Sequence, residues 1–229
     1  MKRLIVLLGL LALLVGTTPS YGTVTVVYEA GTLNLTEALT GFGTTGDLME
    51  GMTLTALFGD NSTETATWAS LGAPSGKAQG TGWFVSESGD TWDQNWTLQN
   101  NTGQSLVSLV IDAGLGDTVF DAINGNYLTP GSANGKPFQM TGGDSSLNIL
   151  ATYYDEVALD GTLPMGDLYR FLRIDFLNAG QFSSGSTMTF VMDTDNIQFA
   201  GDINPVPEPA TLLIWSVLGA LAVAAWRWR

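Results

Sequence analysis

Apolar positions in this chain come in short runs, separated by clusters of Gly, Asn, Asp, Ser and Pro. Nine runs carry a strand signature, with side chains alternating between two faces and β-branched and aromatic residues enriched. They cover 23–28 (TVTVVY), 52–58, 63–69, 83–88, 95–99, 105–111, 147–154, 168–177 and 187–192. In the run 168–177 the alternation sets Arg170 outward and Phe171 inward. Turn signals stand between the runs at 59–61 (GDN), 88–90 (SGD), 124–126 (NGN), 130–132 (PGS), 134–135 (NG) and 142–144 (GGD). No long window holds a 3.6-residue period. The pattern predicts an all-β body over 23–202, an antiparallel β-sandwich or jelly roll. The Gly-rich stretches 41–46 and 71–76 read as loops, because neither leads a strand into a helix through a phosphate-binding pattern. No internal repeat is present.

The two ends break this pattern. Met1-Lys2-Arg3 precedes twelve apolar residues, Leu4 to Val15. A basic start with a short apolar stretch is the form of a secretory signal peptide, and the stretch is shorter than the roughly 20 residues a membrane span needs. Ser20 and Gly22 place small residues where signal peptidase reads, so the cut is expected after Gly22 and the signal peptide is 1–22. At the other end, residues 203–229 comprise a Pro-rich linker, a span over 210–226 and a basic terminus. The three prolines at 205, 207 and 209 hold the linker extended. As a helix, 210–226 is about 26 Å long, enough to cross a thin hydrocarbon layer. Trp226 and Trp228 suit the interface, and Arg227 and Arg229 stop the span on the cytoplasmic side. A buried core helix fits poorly, since the segment is apolar all round and ends in Arg-Trp-Arg.

This tail resembles the PEP-CTERM sorting signal. Pro207, Glu208 and Pro209 match its signature residue by residue, 211–225 matches its span with the small Gly219 in mid-span, and Arg227 and Arg229 match its basic end. The resemblance implies a bacterial protein exported through the Sec translocon, trimmed by signal peptidase, and held in the inner membrane through its C-terminal helix. Exosortase, a transpeptidase-like cysteine enzyme, would then cut near the motif and pass the chain to the cell surface or extracellular matrix. Exopolysaccharide is the implied surrounding. The body has a looser likeness, through WTLQNNTG at 96–103, TPGS at 129–132 and FVMDTDN at 190–196, to uncharacterised β-rich surface proteins with this tail.

Composition narrows the chemistry. Of 229 residues none is Cys and none is His. That removes disulfides, thiolate nucleophiles, Cys/His zinc cages and the Ser-His-Asp triad. Acids outnumber bases 22 to 8. Lys2, Arg3, Arg227 and Arg229 lie in the tails and Glu208 is the one acid outside 21–204. Four of the eight bases and 21 of the 22 acids therefore stay in the body, a net charge of −17. This balance disfavours nucleic acid as a partner, because phosphate binding needs clustered Lys and Arg.

Two groups of residues remain as candidate sites. Asp193, Asp195 and Asn196 put three oxygen-bearing side chains at a strand end, and with Asp175 or Asp112 nearby they would suit Ca²⁺, which takes 6 to 8 oxygens. No EF-hand pattern supports them, and an acidic capped turn is the plainer alternative; no cofactor is otherwise expected. Trp83, Trp92 and Trp96, with Trp68, gather within thirty residues and would stack on sugar rings if exposed, whereas core packing is what Trp usually does. Paired acids such as Asp90 with Asp93 or Asp155 with Glu156 suit a glycan hydrolase in principle but are too common to specify one. Four Asn-X-Thr sites, at Asn34, Asn61, Asn95 and Asn100, read as chance. The expectation is a non-enzymatic exported surface or matrix protein; the alternatives are a carbohydrate-binding module with the same tail, then an envelope glycan hydrolase.

Overall fold

The computed structural model describes residues 22–29, 31–123, 134–159, 162–163, 165–178 and 182–199. The expected signal peptide up to residue 21, the linker and tail 203–229, and the turn signals at 124–126 and 130–132 lie outside the described residues. Fourteen strands follow in order: β1 (Thr23–Glu29), β2 (Asn34–Gly41), β3 (Thr53–Phe58), β4 (Thr63–Gly72), β5 (Ser75–Gln79), β6 (Trp83–Ser88), β7 (Trp96–Asn100), β8 (Leu106–Asp112), β9 (Thr118–Asp121), β10 (Gln139–Gly142), β11 (Asn148–Leu159), β12 (Leu168–Phe176), β13 (Thr187–Val191) and β14 (Asp193–Phe199). Two 3₁₀ turns, Gly46–Met49 and Ala113–Gly116, are the helical elements among the described residues. No helix among the described residues is long and apolar enough to cross a membrane. All nine expected runs are strands. Five further strands, β2, β5, β9, β10 and β14, lie outside the nine expected runs, and β14 covers the acidic stretch read as a strand end.

The strands make one curled sheet in the order β1-β11-β2-β14-β9-β12-β8-β3-β4-β5-β6-β7-β13-β10, with a further pairing of β11 to β12. It is antiparallel except at β11, which pairs in parallel with β1 and then with β2. A wholly antiparallel body was expected. The difference arises because β1 and β2 run end to end along one edge of the twelve-residue β11, Glu29 opposite Tyr154 and Asn34 opposite Val157. The break between them falls at Asp155, which has φ +59 and accepts a 2.8 Å hydrogen bond from the Thr32 amide. The long stretch of chain from β2 to β11 is what allows a parallel pairing.

Two strands bend the sheet over. The first half of β4 pairs with β3 and its second half with β5. Likewise β13 pairs with β7 and β10, while β14, one residue later, pairs with β2 and β9. The inward faces meet in an aromatic core in which Trp68 lies 5.2 Å from Trp96, Trp96 stacks on Phe190, and Phe138 sits 4.9 Å from Phe190. On β12, Leu172, Ile174 and Phe176 are buried in this core, while Phe171 shares a face with exposed Arg173 and stacks on Tyr154 at 4.9 Å. The inward placement expected for Phe171 is thus reversed, because the stack on Tyr154 covers the ring on the outer face.

A smaller ring closes at one end. β11 pairs with β2, β2 with β14, β14 with β9, β9 with β12, and β12 with β11. Val119, Val157, Leu168 and Ile197 form a separate buried cluster there, with Leu39 packed against it. β9 stands between the two cores: Val119 belongs to the small cluster and Phe120 to the large one. A strand covered on both faces needs every residue buried, and all four residues of β9 are.

Candidate functional site

The pairing of β14 with β9 sets Asp193 directly across from Asp121. Strand alternation puts Asp195 on the same face as Asp193. The outcome is three carboxylates, Asp121, Asp193 and Asp195, that each offer an oxygen within 4.8 Å of the others. All three are buried, at 1%, 5% and 2% exposure. Gly135 is what lets the chain cover them. Its amide donates to the Ile123 carbonyl, the Lys136 amide donates to Asp121 O and the Lys136 carbonyl accepts from the Asp193 amide. A Cβ at residue 135 would collide with the Asp121 carboxylate and its backbone carbonyl.

Burial denies a carboxylate the water that stabilises its charge. For Asp193 this effect comes first and the neighbouring charges of Asp195 and Asp121 add to it, so its pKa is pushed up to about 8. The Thr91 hydroxyl lies 3.3 Å from Asp193 Oδ1 and receives the Thr194 amide at 3.2 Å.

Beside the triad opens a pocket of about 260 Å³, lined by Phe42, Asp90, Trp92, Asn134, Asp193 and Asp195. The loops after β2 and β6, Asn134 from the segment between β9 and β10, and β14 build it. Thr45 bridges to Asp90, and the Thr91 amide donates to the Thr44 carbonyl, which lays the loop after β2 against the loop after β6. Asp90 Oδ1 accepts from the Trp92 amide at 3.0 Å and fixes that turn. The Lys136 ammonium donates to the Trp92 carbonyl and sits 4.3 Å from the centre of the Trp92 ring.

The expected Ca²⁺ group is only partly assembled. Asp193 and Asp195 come together, but Asn196 faces away: its Oδ1 accepts from the Thr44 hydroxyl at 2.9 Å and its Nδ2 donates to Leu48 O. Asp112 is held by Arg170 in a two-pronged ion pair with both distances 2.8 Å, and Asp175 pairs with Arg173 at 2.7 Å, so neither joins the triad. The residue that does join, Asp121, lies 72 positions before Asp193. Its one sequence signal is an Asp closing a short β-branched and aromatic run, TVFD. Three carboxylates in this arrangement suit either a hard cation or a shared proton.

The expected sugar-stacking row does not exist. Trp83 and Trp96 are 1% and 0% exposed, because both point into the aromatic core, and Trp68 beside them is equally buried. The Trp83 indole donates to Glu64 at 2.6 Å and that of Trp68 to Gly46 O at 2.7 Å. Trp92, half-buried, is the one of the three that reaches the pocket.

A second buried acid was not foreseen. Glu87 lies on the inward face of β6 at 2% exposure, and neither carboxylate oxygen finds a well-aligned hydrogen bond. Burial chiefly, offset in part by the Gly46 amide and reinforced by Asp90, Asp47 and Asp93, pushes its pKa up to about 8. The chain's match to known proteins adds nothing to this geometry: no family model, no characterised protein and no solved structure is similar to it.

Proposed function

We propose that this chain is a non-enzymatic exported protein of the bacterial cell surface or extracellular matrix, delivered by a PEP-CTERM tail that exosortase removes. The observation that carries the proposal is the sequence Pro207-Glu208-Pro209, an apolar run and Arg227 and Arg229, all following a folded body whose last described strand is β14. Two features support it. The first described strand, β1, starts at Thr23, the residue after the expected cut, and the Thr23 amide donates to Leu147 O at 2.8 Å. The sheet bent over at β4 and at the β13–β14 step fits the sandwich or jelly-roll form, a self-contained body suited to life outside the cell. The test is mass spectrometry of the mature protein from its native host. Chains that start at Thr23 and lack Arg229 are expected. Replacing Pro207, Glu208 and Pro209 with Ala should leave a longer, membrane-held form, and normal trimming of that variant would refute the proposal.

A second function has one specific observation in its favour. Phe42 and Trp92 wall a pocket that also holds Asp90, Asn134, Asp193 and Asp195. Aromatic surface beside hydrogen-bonding side chains is the pairing that holds a sugar ring, through stacking and hydroxyl contacts. We therefore assign carbohydrate binding to this pocket, through Trp92 and without Trp83 or Trp96.

A further inference from the structure

We infer that the free edge of β1 joins β1 of a second copy, antiparallel and about a two-fold axis at Val26, so that the sheet runs on from one copy into the other. Among the described residues β1 ends the strand order on one side and pairs with β11 alone, while β10 ends it on the other and pairs with β13 alone. An edge strand presents unpaired N–H and C=O groups to any strand that can align with them, and folds blunt such edges with short strands, Lys, Pro or bulges. β10 is blunted: it has four residues, and its register breaks between Met140 and Gly142. β1 has no Lys, Pro, Gly or bulge. Its seven residues, TVTVVYE, keep continuous register with β11 and are mostly β-branched or aromatic. Its cover is also incomplete. Val24 and Val26 are partly buried side chains packed on the main core, and Tyr28, on the same face, is 41% exposed.

Backbone direction sets the register. The Thr23 amide donates to Leu147 O, so Thr23, and by alternation Thr25, Val27 and Glu29, turn their backbone groups toward β11. Val24, Val26 and Tyr28 turn theirs outward. A two-fold axis at Val26 sets Val24 opposite Tyr28 of the second copy and Val26 opposite itself. Every outward N–H and C=O of these residues then has a partner. Moving the axis to Thr25 or Val27 leaves one of the three without a partner in β1. Side chains agree with this register. Val24 meets the Tyr28 ring on the core face, a β-branched and aromatic pair of the kind that stabilises ladders, and each covers the other. Charge agrees too, because Glu29 falls opposite Thr23 and not opposite another acid. With the expected cut after Gly22, Thr23 carries the mature α-ammonium, so each end of the ladder joins a cation to a carboxylate.

One strand pair is a small interface, under about 1,200 Å², so the expected dissociation constant is about 1–100 µM. The test is sedimentation velocity of the chain recovered from its native host, in an uncharged detergent if the tail is still attached. Concentrations run from about 1 to about 100 µM, in about 0.5 M sodium chloride to shorten the repulsion between acidic copies. Val26→Pro removes the N–H at the axis, which faces away from β11, and an edge strand tolerates Pro there. It should weaken the dimer at least tenfold with an unchanged far-UV circular dichroism spectrum. A second measurement serves if that variant misfolds. Thr25 falls opposite Val27 of the second copy on the outer face, with Cα atoms about 4.5 Å apart, within disulfide reach. The chain has no Cys. Mild oxidation of Thr25→Cys chains mixed with Val27→Cys chains should therefore give a covalent dimer. Either variant alone should not, because its two thiols sit on a diagonal about 7–8 Å long. A monomer at about 100 µM, a dimer that survives Val26→Pro in a folded chain, self-linking as fast as mixed linking, or open assemblies longer than a dimer would each overturn the pairing. The sorting proposal, read from the masses of the chain ends, would stand.

Discussion

At the scale of single residues, the unusual feature is acid buried without a cation to match it. Asp193 and Glu87 both have pKa values near 8, chiefly through burial. Each ordinarily releases its proton near pH 4, so between about pH 4 and pH 8 the folded chain holds protons that the unfolded chain has lost. Stability contributed by those protons is complete below about pH 4 and is lost as pH rises through 8. The slope reaches about 1.4 kcal/mol per pH unit for each group. Thermal melts from pH 5 to pH 8.5 should therefore show a falling Tm. Glu87→Gln, which keeps the shape and removes the charge, should take away about half of that fall, and an unchanged slope would show that Glu87 does not titrate in this range. Gly135 is the steric counterpart. Its close approach to Asp121 leaves no room for a methyl group, so Gly135→Ala is expected to destabilise the fold by about 1–3 kcal/mol, read as a lower denaturant midpoint at unchanged m.

At the scale of elements, β9 shows why part of the fold was legible and part was not. The nine expected strands are those with three or more β-branched, aromatic or aliphatic positions within a short run, and burial of such positions is what the hydrophobic pattern reports. β9 and β10 have four residues each, too few to show a period. β5, SGKAQ, lacks any β-branched or aromatic residue and is held by ladders to β4 and β6 on its two sides. β14 read as the acidic end of a strand because the ladder that makes it a strand runs to β9, 72 residues earlier, a fact of topology and not of local pattern. The same limit hid the candidate site: the Asp193–Asp195 spacing was readable, while Asp121 and the pocket's Phe42 and Asn134 were not. Among the Trp residues, identity was plain but direction was not, since alternation fixes a face only once the neighbouring sheet is known. Because β9 separates two cores, its Phe120 is packed against Tyr153 in the larger one, ring centres 5.7 Å apart. Phe120→Ala should cost about 3–5 kcal/mol, a chemical denaturation measurement, and a loss under 1 kcal/mol would mean that the strand does not tie the ring to the main core.

At the scale of the whole molecule, charge is the term that the fold leaves unbalanced. The body has four bases, and the structure places all of them. Arg170 and Arg173 pair with Asp112 and Asp175, Lys77 lies 4.0 Å over Phe84, and Lys136 lies over Trp92. Two of the four thus sit against aromatic rings, and most of the 21 acids are left to repel one another across a small surface. Such self-repulsion acts on the compact state more than on the expanded chain, where the charges are farther apart. Salt shortens its reach, from about 30 Å at 0.01 M to about 10 Å at 0.1 M. Raising sodium chloride from 10 mM to 300 mM at pH 8, where Glu87 and Asp193 are losing their protons, should therefore raise the Tm. At pH 5 the two buried acids are neutral, and the same salt step should raise it less. A Tm that falls with salt at pH 8 would mean that the surface ion pairs outweigh the repulsion, contrary to the charge count.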